Sequence, residues 1–129
     1  MSGRVALDTD VTIKFLNGDE TIASILMKYA EIFLPVIVVG ELIYGALNSK
    51  NAEQNLARHK KLIQRVGILE ISEATAAIYA KTRLMLKKKG TPIPENDLWI
   101  AAVCLEHKMP LSSNDKHFNY IEHLSLVRI

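Results

Sequence analysis

Four acidic residues sit where apolar segments end or begin. Asp8 follows Val5-Ala6-Leu7, and Glu41 follows Val36-Ile37-Val38-Val39-Gly40. Asp97 precedes Leu98-Trp99-Ile100-Ala101-Ala102-Val103, and Asp115 comes after Pro110-Leu111-Ser112-Ser113-Asn114. Carboxylates are rarely buried without a partner. Gathered by a fold, they repel one another, and a bound divalent cation is the simplest compensation. A cation held in this way supports phosphodiester hydrolysis, because it activates water and screens the phosphate oxygens. Mg²⁺ prefers oxygen donors, so a set of carboxylates without histidine or cysteine suits it.

Each acid also has a plainer role open to it. Asp8 fits an N-cap for a helix from Val11 as well as a ligand. Glu41 is the only charge between Glu31 and Lys50, and the alternative for it is a solvated helix face. Asp97 fits a first-turn acid that complements the helix dipole. Asp115 fits a turn residue in Ser113-Asn114-Asp115-Lys116. The case for chemistry therefore rests on the set. Asp10 and Glu95 are secondary candidates, Asp10 as a cap or a supporting acceptor and Glu95 facing solvent.

The elements that must position these side chains alternate between strand and helix. Strands are expected over 4–8, 32–34, 67–71, 110–113 and 124–129, the last at an edge. Helices are expected over 11–16, 21–30, 36–47 and 51–65. Another runs from Glu73 to the Lys87-Lys88-Lys89 run, capped by Ser72 and stopped by Gly90. A further one starts at Asn96 or Asp97 and reaches about His107, and a short helical turn lies near Phe118. Short apolar strands separated by helices predict an α/β fold, a single-domain α/β/α sandwich over 1–129 with a mainly parallel central sheet. Ligands of such sheets sit beyond the carboxyl ends of strands, where Asp8 and Asp115 fall.

Bulk properties narrow the classes. The chain has 129 residues and is 49% hydrophobic, enough for one domain with a real core. No apolar run approaches a membrane span, and Met-Ser-Gly-Arg-Val lacks a signal-peptide pattern. A soluble cytoplasmic protein is the expectation. The formal charge of +2 excludes a generic polyanion binder. The one cysteine, Cys104, lies in an apolar helical run and reads as a buried hydrophobe. His59, His107, His117 and His123 show no zinc-site spacing.

Three segments and a closing one resemble the PIN domain family, and within it the VapC-type ribonuclease toxins of prokaryotic toxin–antitoxin pairs. They are Leu7-Asp8-Thr9-Asp10, Val39-Gly40-Glu41-Leu42-Ile43-Tyr44-Gly45-Ala46, and Gly90 through Ala102 with Glu95-Asn96-Asp97 at its centre. Pro110 through Phe118 closes the pattern. The resemblance implies that Asp8, Glu41, Asp97 and Asp115 form the family's acidic pocket for Mg²⁺ or Mn²⁺. Asp8 and Asp97 are expected as the direct ligands, with Glu41 and Asp115 acting through water or on the nucleophile. Thr9 matches a hydroxyl position beside the first acid, and Ser113 the usual threonine or serine before the last. Asn114 lies where the family varies. The substrate implied is RNA, and the partners implied are a second copy of the chain and a cognate antitoxin. Ile13, Phe15, Leu16, Leu42, Ile43 and Tyr44 are offered either to the antitoxin or to the core. Lys14, Lys87, Lys88, Lys89, Lys116 and His117 are candidate phosphate contacts, against solvated caps. Trp99 is a candidate base-stacking residue, against core or interface.

Two alternatives stand beside this. Asp8-Thr9-Asp10-Val11-Thr12 fits the Asp-x-Asp-x-Thr opening of haloacid dehalogenase-like phosphatases, with Asp8 as nucleophile. That motif is short, and the pattern leaves Glu41 and Asp97 without a role. The other alternative is a non-catalytic binding module on the same fold.

Overall fold

The computed structural model describes residues 3–129. Among them are five strands, six α-helices and one 3-10 turn. Strand β1 is Arg4–Leu7, β2 Glu31–Pro35, β3 Gly67–Leu69, β4 Leu111–Ser112 and β5 Leu126–Val127. They form one sheet in the order β3-β2-β1-β4-β5, and every neighbouring pair is parallel. The fold class is the one expected, with β5 at an edge. Val5, Ala6 and Leu7 have no solvent exposure. The central strand is thus covered on both faces, and it reads as a continuous apolar run rather than an alternating one.

The helices are α1 Thr9–Leu16, α2 Glu20–Leu26, α3 Val36–Leu47, α4 Ala52–Ile63, α5 Glu73–Lys89 and α6 Glu95–Glu106. Helix α6 is buried on nearly every side, with Leu98, Ile100, Ala101, Ala102, Val103 and Cys104 all in the core, as its all-round apolar sequence requires. Ser72 caps α5 in a reciprocal box with Thr75, and Gly90 ends it at φ 74°, a left-handed position that glycine occupies without a Cβ clash. Gly67 answers a different constraint. A Cβ there would lie 2.3 Å from the ring of Phe33 on β2.

The differences from expectation have local causes. Helix α1 starts at Thr9 rather than Val11, because Asp8 caps it directly. Helix α2 stops at Leu26 rather than 30, because the Ala30 and Glu31 amides turn to the Gly3 carbonyl to open β2. Helix α6 starts at Glu95, immediately after Pro94, whose fixed φ suits a helix entrance. Strands β3, β4 and β5 are each shorter than expected. Beyond β5, Arg128 and Ile129 bond to the loop that follows β4 instead of extending the ladder.

Candidate active site

The chain leaves β1 for β2 and β3, then returns to the other side of β1 as β4. Between β1 and β4 the direction of winding reverses, the place where parallel sheets open a crevice at their carboxyl edge. Asp8 is the first residue after β1 and Ser113 the first after β4, and the Asp8 amide donates to the Ser112 carbonyl at 3.0 Å. Helix α3 leaves the same edge from β2 and carries Glu41 in its second turn. Helix α6 leads into β4, so its first turn, with Asp97, also lies at that edge. Four distant segments therefore deliver one acid each to one place.

Hydrogen bonds tie these acids together. The Ser113 hydroxyl donates to Asp8 Oδ2 at 2.7 Å, and the Asp115 amide donates to the Ser113 Oγ at 3.0 Å. Thr9 Oγ1 donates to Glu41 Oε1 at 2.7 Å and so joins α1 to α3. His117 Nδ1 lies 2.9 Å from Asp97 Oδ2 and 3.0 Å from Asp115 Oδ1, between the two carboxylates. Among the described residues, no lysine or arginine lies within ion-pair distance of the four acids.

The plain roles and the convergence hold together. Asp8 caps α1 through the Thr9 amide, and Asp115 caps the 3-10 turn Lys116–Tyr120 through the His117 amide. Asp97 is a first-turn acid of α6. Glu41 is half-buried rather than on a solvated face.

Burial pushes the Asp8 carboxyl up to about 6, against the bonds from Ser113 and Thr9 that favour its ionised form, and the charges of Asp97 and Asp10 push the same way. Asp97 is also raised, chiefly by burial and further by Asp115 and Glu41, while the His117 bond opposes the rise. Burial and mutual charge make these groups costlier to ionise, a cost that a bound cation would relieve. The donor set fits a divalent ion: one ligand atom each from Asp97, Asp115 and His117 lies within 4.8 Å of the others. Carboxylate oxygens suit Mg²⁺ or Mn²⁺, and an imidazole nitrogen is tolerated better by Mn²⁺.

His117 corrects the expectation of a site without histidine. It was offered as a phosphate contact, whereas its ring is turned to two acids. A local signal was present: an aspartate two residues before a histidine closes an Asx turn that folds the histidine back toward it. Asp115 lies in one group with Asp97 and His117. Thr9 and Ser113 sit where they were expected. Asn114 points away, and its amide pairs with the Ile129 main chain. Lys116 is exposed beside the site, and Asp10 is exposed on α1. Lys89 pairs with Glu122 at 2.5 Å, away from the acids. The Trp99 ring stacks on Tyr79 at 3.9 Å, so that face is closed to a base. Leu42 is core, while Tyr44 is 68% exposed. Burial pushes the Cys104 thiol up to about 12, which leaves it an inert part of the core.

A parallel sheet carrying this acidic crevice at its switch point defines the class, and the profile of the PIN domain family matches residues 5–124. The chain belongs to that family. Ribonuclease VapC1 of Haemophilus influenzae is 36% identical over 123 residues, covering 92% of each chain. Ribonuclease VapC2 of Rickettsia felis is 31% identical over 125 residues, covering 93% of each. Among solved structures, VapBC2 from Rickettsia felis, bound to a DNA fragment from its promoter, superposes with a TM-score of 0.90 at 28% identity, covering 97% of this chain and 98% of that one. VapBC-1 from nontypeable Haemophilus influenzae superposes with a TM-score of 0.87 at 30% identity and 97% coverage of both chains. Family membership removes the phosphatase alternative, and with it the nucleophilic role of Asp8.

Proposed function

We propose that the chain is a divalent-metal-dependent endoribonuclease, the toxin of a toxin–antitoxin pair. The single observation that carries this is the meeting of Asp8, Glu41, Asp97 and Asp115 at one sheet edge without a lysine or arginine to neutralise them. Kinship with ribonucleases over nearly the whole chain supplies the substrate class.

Asp97, Asp115 and His117 would hold the ion, with Asp8 completing its oxygen donors. When bound, Mg²⁺ or Mn²⁺ supplies a more acidic water and charge neutralisation at the phosphate. The protein's own part is to orient. Ser113 and the Thr9 amide fix both oxygens of Asp8. Thr9 fixes Glu41, whose remaining oxygen can take a proton from an attacking water. Lys116, exposed at the rim, can meet the phosphate chain.

The antitoxin partner follows from kinship with toxins solved as toxin–antitoxin complexes. A groove of about 420 Å³ lined by Phe15, Tyr29, Ile32, Leu62 and Val66, with Glu31 and Arg65 also on its wall, offers a seat for it. A second copy of the chain completes the proposed assembly, in the cytoplasm; no helix among the described residues is long and apolar enough to cross a membrane.

The test is expression of the chain alone, with RNA 5′ ends mapped in the cell, beside Asp97→Asn and beside coexpression with a candidate antitoxin. New 5′ ends that vanish in Asp97→Asn and under coexpression are expected. Binding of RNA without any cleavage in Mg²⁺ or Mn²⁺ would leave a binding module in its place.

A further inference from the structure

Arg128 lies beyond the last strand and outside the acidic crevice, yet it grips the loop that builds it. Its Nη1 donates to the Ser113 carbonyl at 2.7 Å and to the Asp115 carbonyl at 3.1 Å, and its Nη2 bonds Asn119 Oδ1. The neighbouring Ile129 is held from the other side. Its amide donates to Asn114 Oδ1 at 3.0 Å, and Asn114 Nδ2 donates to its carbonyl at 2.8 Å. These five contacts enclose residues 113–115 and reach into the 3-10 turn. Ser113, Asp115 and His117 lie within that segment and face Asp8 and Asp97 on the opposite side.

We propose that Arg128 is a positioning residue for the acidic site, with Asn114 as its weaker counterpart. The loop is held from within by the Asp115 amide on the Ser113 hydroxyl and the His117 amide on the Asp115 carboxylate, and from outside by Arg128. It follows a two-residue strand and must carry Ser113 to Asp8, just beyond β1, and His117 to Asp97 on α6. Two carboxylates that repel one another favour a loop that swings outward. A guanidinium bonded through one nitrogen to the Ser113 and Asp115 carbonyls and through the other to Asn119 opposes that swing, and its planar donors are held in a fixed arrangement that a flexible ammonium lacks. Arg128 meets none of the four carboxylates, so it acts through the main chain that carries Ser113 and Asp115.

This rests on the nuclease reading, and the test separates the two. Arg128→Gln, Arg128→Lys and Asn114→Ala are compared with the parent and with Asp97→Asn. Mn²⁺ binding is followed by the electron paramagnetic resonance of free Mn²⁺, and RNA cleavage by kcat and KM. Arg128→Gln should weaken Mn²⁺ binding and lower kcat about 10-fold or more, the scale of losing a group that orients a ligand, with KM within about 2-fold. Arg128→Lys should recover part of the loss, and Asn114→Ala should fall in the same direction by less. Parental Mn²⁺ binding and kcat in Arg128→Gln, with only a lower melting temperature, would overturn the proposal. So would a raised KM at unchanged kcat, which marks an RNA contact. Parental Mn²⁺ binding and cleavage in Asp97→Asn would instead sink the nuclease assignment itself.

Discussion

Glu95 and Asp97 stand two residues apart in the first turn of α6, and they meet opposite fates. Glu95 is exposed, 3.5 Å from the Arg83 guanidinium and bonded by the Tyr79 hydroxyl. Asp97 turns inward, with its side chain 16% exposed, and faces Asp115, Glu41 and an imidazole. One acid is matched by a cation on the neighbouring helix. The other is placed among its own kind at the carboxyl edge of the sheet. An acid therefore becomes a site through the countercharge that the fold withholds from it.

The largest break of this contrast comes from removing each charge in turn. Asp97→Asn should lower the rate of RNA cleavage by about 10²–10³-fold, the scale of losing one preorganised charge-stabilising group. Glu95→Gln should leave it within about 2-fold, because Glu95 touches only the α5–α6 surface. Single-turnover cleavage assays of the two variants side by side read the difference. Equal losses would mean that the whole helix end, rather than the inward acid, carries the activity.

Acidity sharpens it next. In EDTA the folded pKa of Asp8, about 6, lies above the unfolded 3.8. The folded state then binds the extra proton, so this stability is fully present below about pH 4 and is lost as pH rises through 6. The rise from 3.8 to about 6 corresponds to roughly 3 kcal/mol. Asp97, also raised, adds in the same direction. Urea unfolding of the parent and of Asp8→Asn at pH 4.5 and 7.5 should show the variant gaining on the parent at the higher pH. A constant difference between them would contradict the burial of an ionisable Asp8.

Metal addition should reverse that penalty. Mn²⁺ at about 100 times its dissociation constant stabilises a one-site protein by about 2.7 kcal/mol. A thermal shift of that size is expected for the parent at pH 7.5, is lost in Asp97→Asn and is retained in Glu95→Gln. A shift of the same size in all three would locate the ion elsewhere.

How much of this was legible in the chain depends on how local each signal is. The strands were visible because Val5-Ala6-Leu7 and Ile32-Phe33-Leu34 are apolar on consecutive residues, as a strand covered on both faces must be. The end of α5 was visible because Lys87-Lys88-Lys89-Gly90 complements the dipole and caps it. The four acids stood out as charges beside apolar runs, and the family pattern united them. What stayed hidden is proximity. His117 reads as one basic residue beside Lys116 until α6 brings Asp97 across to it. Trp99 reads as core or interface, with a base platform as the alternative, until α5 lays Tyr79 over it. Arg128 has no signal at all, because its partners are main-chain carbonyls, and any residue supplies those. Asn114 was grouped with the site by its neighbours in sequence, whereas its side chain serves the opposite face of the loop.

The smallest expected effect lies on the matched side of the contrast. Arg83 and Glu95 are 62% and 54% exposed, and an exposed pair contributes about 0–1 kcal/mol once solvent screening and side-chain entropy are counted. Arg83→Ala should therefore shift the urea midpoint only slightly. Part of even that shift belongs to the bond from Arg83 to the Tyr79 hydroxyl at 2.8 Å and not to the ion pair. A double-mutant cycle with Glu95→Gln separates them, because the coupling that remains after both single changes is the pair's own. Raising the salt concentration should erase that coupling, while the parent's dependence on Mn²⁺ persists in a crevice where the acids are partly withdrawn from water. Coupling above about 1 kcal/mol that survived high salt would mean that Tyr79, Arg83 and Glu95 brace α6 as a unit. The outward acid would then support the inward one through the helix they share.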